Sequence, residues 1–175
     1  QRIGEMVAAQ VARAHGADVL VVGLPADELR LDAAARLDLA AAHAAEPDAF
    51  DVVIECSGSE GGARACFAAA RRRARYVQVG VFGREVTAPL DTLFEKELTI
   101  TSGFASTPRS WRRALTLIER RAVALEPLVS DVVPLSAWER VFADLRAGRG
   151  IKVVFDPRLD GAEPSVPHPT PGGRP

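Results

Sequence analysis

Ile3, Val7, Val11 and Ala14 fall on one stripe at helical spacing, and His15-Gly16 closes that run as a helix C-terminus does. The period then changes. DVLVV at 18–22 is short and continuously apolar, which predicts a strand buried on both faces. A second helical pattern covers 27–45 and is broken by Glu46-Pro47-Asp48. DVVI at 51–54 predicts a strand, Ser57-Gly58-Ser59 a turn, and 60–73 a helix. YVQVGVF at 76–82 and LTITSGF at 98–104 predict two further strands. Strands alternating with helices imply right-handed crossovers and a parallel sheet covered on both faces, so the predicted class is α/β, doubly wound. Beyond Ser106 the pattern shifts to a helix built on Trp111, Leu115 and Ile118, then a proline-marked extended piece at 127–134. A helix at 136–146 and a closing strand at 151–155 follow. Five prolines after position 160 predict a disordered tail from 157 onward.

Hydrophobic residues at 47% and charged residues at 26% are the balance of a soluble domain able to bury a core. A net charge of −1 offers no electrostatic footprint for nucleic acid or an anionic membrane. No apolar run approaches the about 18 residues a membrane span needs, and the N-terminus does not read as a signal peptide. The expected setting is cytoplasmic. Cys56 lies in an apolar run and Cys66 in an alanine-rich helical pattern, where free thiols behave as small hydrophobes. His15, His43 and His168 are scattered without ligand spacing, so no metal site is expected from this chain.

One candidate for binding chemistry follows from physics alone. A helix opening at Gly4 offers unpaired backbone N–H groups and a positive dipole end, which suit a pyrophosphate. Several strings in order then carry a family resemblance. They are Ile3-Gly4 leading into VAAQVARAHGADVLVVG at 7–23, DVVIECSG at 51–58, YVQVGVFG at 76–83, ELTITSGF at 97–104, LEPLV at 125–129 and GIKVV at 150–154. Together they resemble the nucleotide-binding part of medium-chain, zinc-type alcohol and polyol dehydrogenases of the sorbitol- and threonine-dehydrogenase kind. The likeness covers residues 1–157.

The resemblance implies a Rossmann-like sheet truncated at its first strand. Gly4 would be the last glycine of a G-x-G-x-x-G fingerprint, and Gln1 stands where the second would lie. Only LAAAHAAEPDAF separates Leu37–Asp38 from Asp51, so a strand and a helix usual there are expected to be missing too. The expected organisation is a dinucleotide-binding domain at 1–105, a segment returning to the catalytic domain at 106–157, and the tail at 158–175. Gly23 replaces the acid that usually accepts from the adenosine ribose, and Leu24 brings no arginine for a 2′-phosphate. Asp27 or Glu28 would have to substitute, leaving NAD or NADP open with the balance toward NAD. Cys56, Ser57 and Gly58 are implied to lie near the adenosine-side ribose, and Val79, Gly80 and Val81 along the nicotinamide. Ser102, Gly103 and Phe104 are implied to meet the carboxamide, and Lys152 the pyrophosphate. Arg71, Arg72 and Arg73 read as a solvated helix end.

In the family a catalytic zinc is held by the other domain, so no catalytic residue is assigned here and the chain alone is expected to be inactive. The implied function is the cofactor-binding half of an NAD(P)-dependent alcohol or polyol dehydrogenase. A free-standing NAD(P)-binding module and an inactive truncated remnant are the alternatives. The strand at 98–104 is implied to be a sheet edge that pairs with its mate in a homodimer, unless the tail or 127–134 covers it.

Overall fold

A computed structural model of the chain describes residues 3–160. The described residues divide into two compact units, with the boundary between Val129 and Ser130. The first holds α1 (Gly4–Ala14), β1 (Leu20–Val22), α2 (Glu28–Arg36), β2 (Ala40–Ala42) and β3 (Phe50–Glu55), in that order. It continues with α3 (Glu60–Ala69), β4 (Ala70–Gln78), α4 (Leu90–Glu95), β5 (Thr99–Ser102) and α5 (Pro108–Glu119). Every pairing among these strands is parallel, β1 with β2, β3 with β4 and β4 with β5. The α/β class and parallel pairing are those the sequence predicts. The strands form two sheets, β1-β2 and β3-β4-β5, and no strand among the described residues bridges β1 and β3.

The segment after α2 corrects one expectation. Ala40, Ala41 and Ala42 form a strand in register with Leu20, Val21 and Val22, so a strand expected to be missing is present. α2 stops at Arg36 and Asp38 follows with a φ of 55°, which turns the chain out of the helix. Alanine is the best helix former, but propensity is worth only about tenths of a kcal/mol per residue, which a ladder beside the buried Val21 can outweigh. α3 likewise ends at Ala69 rather than 73, and the three arginines lie on β4. Arg71 pairs with Asp51, and Arg72 and Arg73 both pair with Glu97. The β3–β4 register shifts between Phe50 and Val52, and Arg73 takes a φ of 61° in that bulge.

Two basic side chains close helix ends. The Arg13 guanidinium donates to the carbonyls of Leu37, at 2.6 Å, and Asp38, at 2.9 Å, beyond the end of α2. Lys96 donates to the carbonyls of Phe67, Ala68 and Ala70 at the end of α3 and pairs with Asp48 at 2.7 Å. Both place positive charge where a helix dipole is negative. In the β3-β4-β5 core Val53, Phe67, Ala74, Tyr76 and Leu98 are buried together, with the Phe67 and Tyr76 rings 4.9 Å apart. α1 is tied to the far end of this unit by Gln10. Its buried amide donates to the Ala124 carbonyl at 3.1 Å and accepts from the Ala124 N–H at 2.7 Å. α5 carries the predicted Trp111, Leu115 and Ile118 stripe, but buries none of its residues.

The second unit is smaller. β6 (Val129–Val133), which begins at the junction, pairs with β7 (Lys152–Phe155), and α6 (Trp138–Arg146) lies between them in sequence. Asp160 accepts from the Leu135 and Ser136 N–H groups, so the turn at Pro157–Asp160 is ordered where a disordered tail is expected. The rest of that expected tail, 161–175, lies outside the described residues. No helix among the described residues is long and apolar enough to cross a membrane.

Candidate functional site

Parallel strands bring their carboxyl ends to one side of a sheet, and ligands of open α/β sheets bind there. Three turns leave that side of the β3-β4-β5 sheet, Cys56-Ser57-Gly58 after β3, Val79-Gly80-Val81 after β4 and Gly103-Phe104 after β5, and Gly23-Leu24 leaves the carboxyl end of β1 in the other sheet. The first turn of α1 lies beside the Gly23-Leu24 loop and Cys56. Arg30 links that turn to the loop after β1, lying 3.7 Å from Glu5 and 2.7 Å from Asp27. Glu5 also lies close enough to Cys56 to push its thiol upward, second to desolvation by burial, to about 11.

The turns after β3 and β4 are locked together. Gly58 has a φ of 65°, and a Cβ there would overlap the Val81 carbonyl oxygen. A Cβ on the buried Gly80 would overlap the Gly58 N and the Glu55 carboxylate. Glycine is required at both because the two backbones touch. Glu55, only 2% exposed, sits between them. Its Oε1 accepts from Ser57 N at 2.8 Å, from Ser57 Oγ, and from Gly58 N at 3.0 Å. Its Oε2 accepts from Gln78 Nε2 at 2.7 Å, and that same amide nitrogen donates to the Gly80 carbonyl at 2.8 Å. Tyr76 closes the chain by donating to Gln78 Oε1 at 2.6 Å. The Glu55 carbonyl in turn accepts from the N–H groups of Val79 and Gly80.

Six of the predicted site residues are therefore neighbours: Cys56, Ser57 and Gly58 with Val79, Gly80 and Val81. Glu55 and Gln78, which hold them, are not among the residues the sequence singles out. The available signal is a carboxylate closing the apolar run DVVI and an amide inside YVQVGVF, each too polar for a buried strand without a partner. Val79 and Val81 remain exposed. At Gly4 a Cβ would meet nothing within 4 Å, so helix–strand packing does not demand glycine there. Gly23 donates to the Ala42 carbonyl at 3.1 Å, and a Cβ on it would press on Leu31 at 3.1 Å and Asp27 at 3.3 Å. The Asp27 carboxylate accepts from Leu24 N at 3.1 Å and pairs with Arg30, so it is already engaged. Ser102, Gly103 and Phe104 are exposed, Phe104 almost wholly. Lys152 is an exposed residue of β7 in the second unit.

Zinc does not fit the side chains present. No group of three or more His, Cys, Asp or Glu among the described residues could hold a metal ion. His15 and His43 each set Nδ1 against a backbone carbonyl, of Val11 and Gly23 respectively.

A parallel α/β sheet with glycine turns at its carboxyl ends defines a Rossmann-like domain. Residues 3–120 match the zinc-binding dehydrogenase family, and the chain belongs to it. It is 29% identical over 166 residues to a sorbitol dehydrogenase of Halalkalibacterium halodurans, covering 87% of this chain and 48% of the relative. It is 25% identical to a D-arabitol-phosphate dehydrogenase of Enterococcus avium, covering 84% and 46%. Among solved structures, an alcohol dehydrogenase of Aeropyrum pernix shares the fold with a TM-score of 0.72 at 18% identity, covering 86% of this chain and 46% of that one. The chain spans about half the length of the curated relatives it matches.

Proposed function

We propose that this chain is the cofactor-binding part of an NAD(P)-dependent alcohol or polyol dehydrogenase acting in the cytoplasm, with residues 106–157 returning to the catalytic domain. The observation that carries the reading is the contact of the Gly58 and Gly80 turns at the carboxyl ends of adjacent parallel strands. Backbone held that closely leaves no side chain between it and a ligand. The open first turn of α1, beginning at Gly4, supports a pyrophosphate beside it. When bound, the dinucleotide supplies the redox chemistry of alcohol oxidation, and this chain supplies binding and orientation. Sorbitol and arabitol phosphate, named for two relatives, make a polyol the substrate class to test first. The family's zinc finds no ligands among the described residues, so no step is assigned to it here.

Cofactor choice is read at Gly23. With no carboxylate at that position and Asp27 engaged by Leu24 and Arg30, little selects between a ribose hydroxyl and a 2′-phosphate. Absence of an arginine beside Gly23 keeps the balance toward NAD. A titration of the full chain with NADH and NADPH tests both points. Saturable binding, tighter for NADH, is the expected result, and no binding of either would defeat the proposal.

Association is read at β5. All four of its residues are exposed, and it pairs only with β4, leaving one edge of the sheet free among the described residues. The 129–133 segment pairs with β7 instead. An edge carrying Ile100 and no proline is suited to pairing with a second copy in a homodimer.

A further inference from the structure

Glu55 is the one carboxylate buried in this chain's described core, and its surroundings are unlike those of a structural ion pair. Its four donors are Ser57 N, Ser57 Oγ, Gly58 N and Gln78 Nε2, and all belong to the turns that leave β3 and β4 or to the residue before them. The arrangement has a consequence for what those turns can bind. The N–H groups of Ser57 and Gly58 are spent on the Glu55 carboxylate, that of Ser59 on Ser57 Oγ, and that of Gly62 on Ser59 Oγ. Those of Val79 and Gly80 are spent on the Glu55 carbonyl. A phosphate needs several N–H donors or a cation. Four N–H groups of these turns are thus turned inward onto Glu55, and those of Ser59 and Gly62 are taken up by serine hydroxyls.

We propose that Glu55 is a positioning residue of the dinucleotide site, holding the Ser57-Gly58 and Val79-Gly80 turns in contact with their donors turned inward, so that both receive the nicotinamide riboside and not the pyrophosphate. The contact of Gly58 with Val81 thereby moves the Ser57-Gly58 turn away from the adenosine-side ribose that the resemblance implies for it. The inference rests on the dinucleotide reading above. Gln78 extends the same hold, since one amide nitrogen reaches both the Glu55 carboxylate and the Gly80 carbonyl. Removing the carboxylate releases the Ser57 and Gly58 N–H groups and the Gln78 amide together. The separation of the turns is then no longer fixed by a shared acceptor, while the first turn of α1 is untouched.

The test uses the full chain and two probes, NADH and ADP, which differ by the nicotinamide riboside. Glu55→Gln keeps the shape but points at least one N–H donor at another. It is expected to weaken NADH binding about tenfold or more while leaving ADP binding unchanged. Gln78→Met keeps the carboxylate and its Ser57 and Gly58 donors, but removes the ties to Glu55 and Gly80 together with the acceptor of the Tyr76 hydroxyl. It is expected to show the same split, which keeps the test open if Glu55→Gln does not melt cooperatively. Equal weakening of both probes would make Glu55 a residue of general stability and overturn the proposal, as would two variants that bind NADH like the parent chain. A parent chain that binds neither probe would instead defeat the dinucleotide reading itself.

Discussion

At Gly80 a single methyl group is too much. A Cβ would overlap the Gly58 nitrogen and the Glu55 carboxylate, and neither backbone nor a buried carboxylate can swing away. Gly80→Ala is therefore expected to lower stability by about 2 kcal/mol, measurable as a shift in the urea midpoint. An unchanged midpoint would mean the two turns are not in contact. Cys66 makes a second prediction at this scale. Burial first, then the charges of Glu55 and Cys56, push its thiol up to about 12, against an ordinary value of 9.0. Cys56 is raised to about 11 by burial and by Glu5 and Glu55. The folded state thus keeps these protons where the unfolded chain loses them. Their contribution to stability is intact below pH 9 and is lost as pH rises toward 11 to 12. The fall in urea midpoint above pH 9 is expected to be shallower when both cysteines are replaced by alanine. Equal slopes would contradict it. Gly58 and Gly80 were readable in the sequence because a glycine after an apolar run marks a turn. Glu55 was not, because an acid at a strand end looks solvated until its partners, up to 23 residues away, are folded around it.

Among the elements, the short ones escape sequence reasoning. β2 is three alanines, and nothing local distinguishes them from the alanines of α2. Only pairing with β1 makes them a strand. α4 has six residues and no predicted counterpart, too short for a periodic stripe to register. The arginines of β4 mislead for the opposite reason. Three basic residues after a helix suit its dipole, yet Asp51 and Glu97 draw them onto the strand and Lys96 closes the helix instead. Lys96→Met is expected to cost about 2 kcal/mol, because it strips three carbonyls of a charged donor while keeping the apolar stem. A loss below a few tenths would show that solvent replaces the ammonium. β5 makes the element-scale prediction about assembly. Its free edge should pair, and sedimentation equilibrium is expected to find dimers that Ile100→Lys weakens. A soluble monomer at high concentration would contradict the pairing.

For the molecule as a whole, the order of short strings identified the family, and the parallel pairings and turns follow from it. What the sequence left unresolved is the part that depends on distant partners: the break between β1 and β3, the lock around Glu55, and the engagement of Asp27 by Arg30. With no metal-holding group among the described residues, the full chain is expected to oxidise no polyol, with or without added zinc. Zinc-dependent turnover by this chain alone would refute that. The central claim is narrower: a dinucleotide lies across the first turn of α1 and the turns after β3 and β4. Hydrogen exchange of the full chain with and without saturating NADH tests it most directly, because it reports binding and place together. The account predicts slower exchange at residues 4–7, 56–62 and 79–83, with little change in β6 and α6. Slowing confined to other segments, or none at any NADH concentration, would contradict it.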